Sequence, residues 1–254
     1  GEPELVMRIV LKPLLSFLRM TSLLSLGWLT LIVASPMAFA QNFSKSFTVA
    51  PDASQLEVIN QTGSIKITAV SGSANKIIVN ARQSNGDPKI NATQTAQGVV
   101  KVEVTGKGAV DFDITVPLAT NLDLLSYKGM IVVSNVSGPV RARITTQGNI
   151  IFNGLRSPIV EANSAHGDVT FSGDILPSGT YTFKSFSGRV DATLPANADF
   201  KLLATSYRSK LELGGFPVKF DKKTDQLVEG QCGQGRANLN LWTQDGSINL
   251  HRKL

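Results

Sequence analysis

The stretch that decides the fold is residues 122–133, LDLLSYKGMIVV. Apolar residues alternate with other residues before Ser126, and the alternation resumes after Gly129. An alternation of period two is typical of a β-strand with one buried face, and glycine allows a chain to turn sharply. The stretch therefore predicts a strand, a corner at Gly129 and a second strand.

This pattern of apolar alternation, serine and glycine returns along the chain. Its copies cover residues 56–67, 122–133, 160–171, 181–192, 202–213 and 239–250. Asn60 replaces the serine in the first copy, and Ser209 replaces the glycine in the fifth. The repeat glycines are Gly63, Gly129, Gly148, Gly167, Gly188 and Gly246.

An imperfect copy of the repeat lies between the second and third copies. Arg141 and Arg143 occupy slots that are apolar elsewhere, whereas Val140, Ala142 and Ile144 alternate one residue out of phase. An extra residue in one strand shifts the phase of its side chains, so the sequence predicts a β-bulge here.

The spacing of the repeat predicts the architecture. The four glycines from Gly129 to Gly188 follow one another at intervals of 19, 19 and 21 residues. A fixed period of about 20 residues is typical of a solenoid. We predict an all-β protein, a single-chain β-solenoid (a flattened β-helix) with two strands and about 19–21 residues per turn. A β-sandwich of short antiparallel strands is the alternative.

In a solenoid, equivalent residues stack turn on turn. One expected apolar column is Ile131, Ile150, Val169, Val190 and Leu211.

A second column is formed by the repeat serines Ser126, Ser164, Ser185 and Ser206. Their hydroxyls are expected beside the corner, where they can bond backbone groups that have no partner in a sheet. We therefore predict a structural role for them and no catalytic nucleophile.

Residues 1–40 are predicted to be a signal peptide. Basic residues precede an apolar core at 23–33, and Ala38 and Ala40 mark a small-any-small cleavage site that leaves Gln41 as the first mature residue. The core is too short for a transmembrane helix, so no stable transmembrane segment is expected after signal removal. The sequence thus indicates export to the periplasm, the cell surface or the extracellular space.

The chain divides into four regions. Residues 1–40 are the signal peptide, and residues 41–121 form an N-terminal β region with the first repeat and capping strands. Residues 122–213 hold the regular repeats, and residues 214–254 hold a Gly-rich excursion and a terminal repeat. The end strands of a solenoid pair with other chains unless they are covered, so the excursion is expected to form a lid.

The composition excludes several kinds of site. Cys232 is the only cysteine, and His166 and His251 are the only histidines, so neither a disulfide nor a Cys/His metal site is expected, and no cofactor is predicted. The formal net charge is +6, but the basic residues are scattered and no recognition motif accompanies them. No nucleic-acid partner is therefore expected.

Two acidic features remain. Asp111 and Asp113 alternate with Phe112, so both carboxylates should face outward; without a third ligand we predict a solvated strand face rather than a cation site. Asp168 and Arg189 each follow a repeat glycine, so they are expected to form an ion pair on successive turns.

The motifs together resemble a known bacterial family. The motif Leu-x-Val-x-Asn-x-x-Gly-x-Ile-x-Ile within residues 46–68, the strand ITVP at 114–117 and the Gly-x-Ile repeats resemble exported β-strand-repeat proteins called "putative adhesins", which are related to the head domain of auto-transporter adhesins. The resemblance covers most of residues 46–250. It implies a β-solenoid outside the cytoplasm, and the family has no catalytic residues to carry over.

These observations favour one function over two others. We expect an exported, non-enzymatic, adhesin-like binding or scaffold protein of the cell envelope, with envelope glycans or envelope and surface proteins as its partners. The alternatives are a carbohydrate-active β-helix enzyme and an envelope-stress sensor or regulator. The enzyme would need outward carboxylates at set separations, and these are sparse in the repeats.

Overall fold

The computed structural model describes residues 42–50, 54–72 and 75–253, and every helix or strand in them is a β-strand. The predicted signal peptide and its cleavage residues, Ala38, Ala40 and Gln41, lie outside the described residues. The strands are β1 (Asn42–Thr48), β2 (Gln55–Thr62), β3 (Ile65–Val70), β4 (Lys76–Gly86), β5 (Lys89–Gln94), β6 (Val99–Thr105), β7 (Gly108–Pro117), β8 (Asn121–Lys128), β9 (Ile131–Ser134), β10 (Val140–Gln147), β11 (Ile150–Leu155), β12 (Ile159–His166), β13 (Val169–Gly173), β14 (Thr180–Ser187), β15 (Val190–Pro195), β16 (Phe200–Ser206), β17 (Leu211–Glu212), β18 (Lys219–Lys223), β19 (Leu227–Cys232), β20 (Ala237–Thr243) and β21 (Ile248–Lys253).

The strands form two sheets that share the turns of one winding chain. Sheet A has the order β1-β4-β7-β3-β9-β11-β13-β15-β21-β17, and sheet B has the order β18-β19-β16-β20-β14-β12-β10-β8-β2-β6-β5. In each regular turn, such as β12–β13, the chain follows one strand of sheet B, turns, and follows one strand of sheet A. Like strands of successive turns pair in parallel. This winding confirms the β-solenoid, and the antiparallel sandwich is not the fold.

The core lies between the two sheets and is built from stacked apolar columns. Ile131 pairs with Ile65 on one side and Ile150 on the other, and Val169 and Val190 continue the row. All five side chains are fully buried. Because successive side chains of a strand point to opposite faces, the residues between these positions face outward.

Strand β10 contains the predicted bulge. Its register shifts after Ile144 against both neighbouring strands, β8 and β12. Ala142 and Ile144 are buried in the core, whereas Arg141 and Arg143 are exposed. The phase shift in the sequence therefore marks a real irregularity of the ladder.

The last turn of the chain is not the last turn of the solenoid. The pair β20–β21 inserts between β14–β15 and β16–β17, so Val190 pairs with Ile248, and Ile248 pairs with Leu211. The prediction that Leu211 stacks directly on Val190 is wrong. A Cβ at position 246 would overlap the carbonyl oxygen of Gly188, so a copy with a corner glycine fits here, and the copy that contains Leu211 lacks one.

The N-terminal end shows the same inversion. The pair β6–β7 stacks outside β2–β3, and the chain then returns to form β8–β9 on the other side. Ile65 consequently lies between Phe112 and Ile131. The polar segment 84–98 contains strand β5, which pairs antiparallel to β6. Its polar composition is that of an exposed edge strand.

Antiparallel strands cover both ends of the solenoid. Strands β4 and β1 continue sheet A beyond β7, and β19 and β18 continue sheet B beyond β16. In the excursion, Phe216 packs edge-on against Phe200 with 5.5 Å between ring centroids, and both rings are buried. The excursion thus covers the core at this end, as a lid would.

Candidate binding surface

The repeat glycines stack on one another at one corner of the solenoid. The Gly129 amide donates to the Gln147 carbonyl at 2.9 Å, and the Gly148 amide donates to the His166 carbonyl at 2.8 Å. A Cβ on Gly148 would overlap the carbonyl oxygen of Gly129, and its φ of +153° disfavours other residues. The same close approach recurs at Gly63, Gly129, Gly167, Gly188 and Gly246.

The repeat serines lie beside this glycine column. The hydroxyls of Ser164, Ser185 and Ser206 each donate to a corner glycine carbonyl at 2.8 Å, and Thr243 does so at 2.9 Å. Ser126 Oγ is buried and has no partner within the described residues. A buried hydroxyl that donates its proton to a backbone carbonyl has no adjacent general base, which a nucleophile requires. The serine column is therefore structural.

Asp111 and Asp113 are engaged by neighbouring residues on β3 and just before it. Asp111 accepts hydrogen bonds from the Ser64 amide at 2.8 Å and from the Ser64 hydroxyl at 2.6 Å. Asp113 contacts Lys66 at 3.5 Å, and both side chains are exposed. In the described part of the chain, no three His, Cys, Asp or Glu side chains cluster as metal ligands. Both carboxylates thus lie on the exposed face of β7, where Ser64 and Lys66 contact them.

Asp168 and Arg189 form the predicted ion pair between successive turns. Arg189 Nη2 lies 2.8 Å from Asp168 Oδ2, and the Arg189 amide donates to Asp168 Oδ1 at 2.8 Å. Partial burial pulls the pKa of Asp168 upward, but hydrogen bonds from the Arg189 side chain and amide outweigh it and hold that pKa below its usual value. This contact joins two turns at the exposed corner.

Neither Cys232 nor the histidines form a reactive site. Cys232 is buried, and burial, together with the nearby Asp199 charge, raises the pKa of its thiol. A thiol with a raised pKa is a poor nucleophile because the thiolate is the reactive form. His166 and His251 are exposed on different sheets.

The outer face of sheet B, which points away from the core, is charged in its N-terminal half. Lys101 lies 2.8 Å from Glu57, and Arg141 lies 2.8 Å from Glu161 and 3.9 Å from Asp123. These ion pairs run across neighbouring strands at equivalent outward positions. Exposed pairs of this kind contribute only about 0–1 kcal/mol each, so their main effect is to neutralise this half of the face.

The C-terminal half of the same face carries aromatic rings instead. Phe186 on β14, Trp242 on β20 and Tyr207 just after β16 form what we call the aromatic strip. The Trp242 ring centroid lies 6.5 Å from that of Phe186 and 6.3 Å from that of Tyr207. Phe186 is 51% exposed and Tyr207 is 50% exposed. Contiguous exposed apolar surface of this kind is typical of a binding site.

Strand register brings the three rings together. Ser185 pairs with Thr243, and Thr243 pairs with Ser206, all with side chains toward the core. Phe186 and Tyr207 each follow one of these buried residues and Trp242 precedes one, so all three rings face outward. The strip therefore follows from the alternation of the repeat and from the order of β14, β20 and β16 in sheet B.

The sequence analysis missed this strip, although a signal was present. In three copies the residue directly after the repeat serine is aromatic, namely Tyr127, Phe186 and Tyr207. This position points outward, where a strand of a stable soluble fold normally carries polar residues. An aromatic residue that recurs at an outward position is a reason to expect a binding face.

Polar side chains surround the aromatic strip. Lys184 is the direct cross-strand neighbour of Trp242, and Thr182 is that of Asn240. Leu203, which is 44% exposed, lies opposite Asn240 on the next strand. The strip and its neighbours thus place ring faces, amide and hydroxyl groups and an ammonium group close together on one sheet face.

The fold and its outward faces define the class of this molecule as a single-chain β-solenoid with an exposed aromatic strip on one sheet face. The model of the Toastrack DUF4097 family matches residues 52–251, so the chain belongs to that family. The resemblance to the β-strand-repeat family of putative adhesins is thereby confirmed. No curated protein matches the chain. The described residues include no helix long and apolar enough to cross a membrane.

Three solved bacterial structures are similar to this chain. A "putative cell adhesion protein" from Clostridium sporogenes ATCC 15579 is 13% identical with a TM-score of 0.46, and the alignment covers 84% of this chain and 100% of that one. A "putative adhesin" from Bacteroides fragilis NCTC 9343 is 11% identical with a TM-score of 0.40, covering 84% and 97%. A "putative adhesin" from Parabacteroides distasonis ATCC 8503 is 12% identical with a TM-score of 0.21, covering 83% and 97%.

Proposed function

We propose that this protein is an exported, non-enzymatic, adhesin-like binding protein of the bacterial cell envelope, and that it contacts an extended partner through the outer face of sheet B. The observation that carries the proposal is the aromatic strip, because half of the Phe186 and Tyr207 surface is left in water. Exposed aromatic side chains supply large contact areas and dominate the energetics of many interfaces.

The geometry of the strip supports an extended partner. Its strands β14, β20 and β16 are neighbours in a sheet whose other parallel strands repeat the same pairing. A sheet face of this kind is rigid, so it binds without a large ordering cost. In the N-terminal half of the outer face of sheet B, Arg141 forms ion pairs with the carboxylates of Asp123 and Glu161. This engagement favours binding over acid–base chemistry.

Export is the second part of the proposal, and its support lies in residues 1–40. Ala38 and Ala40 define the proposed cleavage site, with Gln41 as the first mature residue. N-terminal sequencing of the protein recovered from the periplasm, the cell surface and the medium tests this. We expect a chain that begins at Gln41 in one of these fractions. Recovery of the uncleaved chain from the cytoplasm alone would contradict export.

Binding is tested with the chain without its first 40 residues, which contains all the described residues. Purified envelope fractions, namely peptidoglycan sacculi, envelope polysaccharide and outer surface protein, are used to pull down this chain and its Phe186→Ala variant. We expect one fraction to retain the parent chain and to retain several-fold less of the variant.

The matched control for this experiment is Tyr127→Ala. Tyr127 also follows a repeat serine and is 42% exposed, but it belongs to β8, outside the aromatic strip. We expect this variant to bind like the parent chain. Equal loss in both variants, or retention by none of the fractions, would count against the proposed surface. Steady release of reducing sugar from any fraction would show an enzyme instead.

A further inference from the structure

We infer that the aromatic strip binds a soluble polysaccharide that carries carboxylate groups, with sugar rings against Trp242 and Phe186 and a sugar carboxylate against Lys184. This inference rests on the proposed function and names the ligand class of the same face. It is argued from ring geometry, from the pairing of the backbone and from the local charge.

The backbone at the strip is fully paired, which argues against a peptide strand as the ligand. Strand β20 is hydrogen-bonded to β14 on one side and to β16 on the other. Addition of a peptide strand requires a free sheet edge, and a peptide helix requires an apolar groove. The strip is a sheet face, and Leu203 is its one exposed aliphatic neighbour in the described structure.

The chemistry of the strip fits a sugar. One face of a sugar ring is lined with C–H groups that pack on an aromatic face, and its hydroxyls need hydrogen-bond partners at the edges. Trp242 and Phe186 supply ring faces, and Asn240 and Thr182 supply amide and hydroxyl groups in adjacent outward positions. A ligand that is apolar on its faces and polar at its edges satisfies both sets of groups.

The orientation of the rings favours a single soluble chain over a flat crystalline surface. The planes of Phe186 and Trp242 meet at 45°, and those of Tyr207 and Trp242 meet at 69°. Rings tilted this strongly do not form one plane, so a flat surface would contact one ring at a time. A polysaccharide chain can rotate at each linkage and follow them.

The positive charge beside the aromatic strip favours a ligand with acidic groups. Lys184 lies beside Trp242, is exposed, and takes part in none of the ion pairs formed among the described residues. Two nearby carboxylates are engaged elsewhere, Glu161 by Arg141 at 2.8 Å and Asp245 by Arg208 at 3.0 Å. Lys184 therefore places a positive charge directly beside Trp242 that is available to a ligand.

Glu229, on the far side of Leu203, is the other acidic group on this part of the face. It lies opposite Lys222 in the β18–β19 ladder. Lys184 is the charged cross-strand neighbour of Trp242, whereas Glu229 lies beyond Leu203, so the charge next to Trp242 favours a carboxylate on the ligand.

The chain offers a direct optical probe of this site. Its tryptophans are Trp28 and Trp242, so the chain without its first 40 residues contains Trp242 alone. All 21 strands of the described structure lie within residues 42–253, which this shorter chain retains. The intrinsic fluorescence of this chain therefore reports on the strip.

The experiment titrates this chain with a uronate polysaccharide (alginate), a neutral soluble β-glucan, a sulfated polysaccharide without carboxylates (dextran sulfate) and suspended crystalline cellulose while the Trp242 emission is recorded. We expect alginate to shift the emission, the neutral glucan to bind more weakly and cellulose to retain no protein. Preference for dextran sulfate over alginate would show that Lys184 binds sulfate rather than carboxylate and would overturn the inference.

Variants separate the two contacts. Phe186→Ala should weaken alginate binding about tenfold, because it removes one of the two rings that contact the sugar. Lys184→Gln should weaken alginate binding about two- to fivefold, as expected for an exposed ion pair, and leave binding of the neutral glucan unchanged. Lys184→Arg should restore alginate binding, and Lys128→Gln, at an exposed lysine outside the strip, should have no effect.

Two further results would overturn the inference. One is equal binding of alginate and the neutral glucan with no effect of Lys184→Gln. The other is an unchanged Trp242 emission with every polysaccharide. If that second result occurs while Phe186→Ala still abolishes pull-down by an envelope protein fraction, the proposed function holds and only the sugar ligand is wrong. If Phe186→Ala also leaves the pull-down unchanged, both the proposed function of this face and the sugar ligand are wrong.

Discussion

At the scale of single residues, the corner of each turn is specified by a glycine and a serine. The glycine is required because the carbonyl of the neighbouring turn occupies the space of a Cβ, as at Gly148. The serine hydroxyl then satisfies a glycine carbonyl that has turned out of the sheet ladder, as Ser164 does for Gly148. Steric fit and hydrogen bonding are thus divided between two positions three residues apart in each copy.

A matched pair of serine variants tests this division. Ser164→Ala removes the hydrogen bond to the Gly148 carbonyl and should lower the free energy of unfolding by about 1–2 kcal/mol. Ser126→Ala removes a buried hydroxyl that has no partner in the described structure, so it should be neutral or stabilising by up to about 1 kcal/mol. Urea unfolding followed by circular dichroism measures both. Equal losses in the two variants would refute a hydrogen-bonding role.

The Asp168–Arg189 pair predicts an acid-dependent loss of stability. Because the pKa of folded Asp168 is depressed, its contribution is complete above the unfolded pKa of about 3.9 and is lost as the pH falls through the folded pKa. Calorimetry from about pH 5 to pH 2 should show a smaller fall in Tm for Asp168→Asn than for the parent chain. Arg189→Gln should remove only part of this pH dependence, because the backbone amide of residue 189 still donates to Asp168. Parallel Tm curves for all three proteins would exclude this contribution.

At the scale of elements, the decisive feature is the insertion of β20–β21 between β14–β15 and β16–β17. All of these copies have the apolar alternation of the repeat, so the alternation alone would allow any of these turns to stack on any other. The corner glycine discriminates among them, because Gly246 fits against the carbonyl of Gly188 and the copy with Ser209 does not supply that fit. Long-range stacking therefore overrides chain order.

Removal of this inserted element should unfold the protein. Deletion of residues 237–254 takes away four fully buried side chains, Leu239, Leu241, Ile248 and Leu250. At roughly 1.5–3 kcal/mol each they contribute about 6–12 kcal/mol, which is comparable to the whole stability of a typical domain. We expect loss of the cooperative melting transition and binding of a hydrophobic dye.

Deletion of the edge strand β1, residues 42–48, is the control. Strand β1 pairs with β4 alone, and Phe47 is its one buried apolar side chain. This shorter chain should retain a cooperative transition at a lower Tm. The importance of the insertion would be disproved if the C-terminal deletion melted like the control.

At the scale of the whole described unit, the ends of the sheets must be protected from pairing with other molecules. Strand β18 is the outer strand of sheet B at one end, and all five of its residues are exposed. Lys219, Lys222 and Lys223 outweigh Asp221 on this strand, and lysines on an edge strand oppose edge-to-edge association. We therefore expect the positive edge to oppose extension of the solenoid into a fibre.

Neutralising this edge should promote self-association. The triple variant Lys219→Gln, Lys222→Gln and Lys223→Gln retains side-chain length but removes the repulsion between edges. Sedimentation velocity at increasing concentration should show larger species for this variant and monomer for the corresponding triple arginine variant. A monomeric glutamine variant at every concentration would show that another feature protects the edge.

The local parts of the fold could be predicted from the sequence, whereas the order of its turns could not. The column Ile131, Ile150, Val169 and Val190 was predictable because side-chain alternation and a constant period are local properties of the chain. The position of Leu211 was not predictable. The copy that contains Ile248 comes later in the chain, yet it occupies the place next to Val190 through contacts between residues that are distant in sequence.

The candidate binding face shows the same limit. The sequence by itself determined that Phe186, Trp242 and Tyr207 point outward, since each lies beside a buried repeat position on a strand. Only the tertiary structure decided that they form one strip, because Trp242 reaches its place between the other two rings when β20 inserts between β14 and β16. The physical reason is that alternation is set by adjacent residues, whereas neighbours across a sheet are set by the stacking free energy of whole turns.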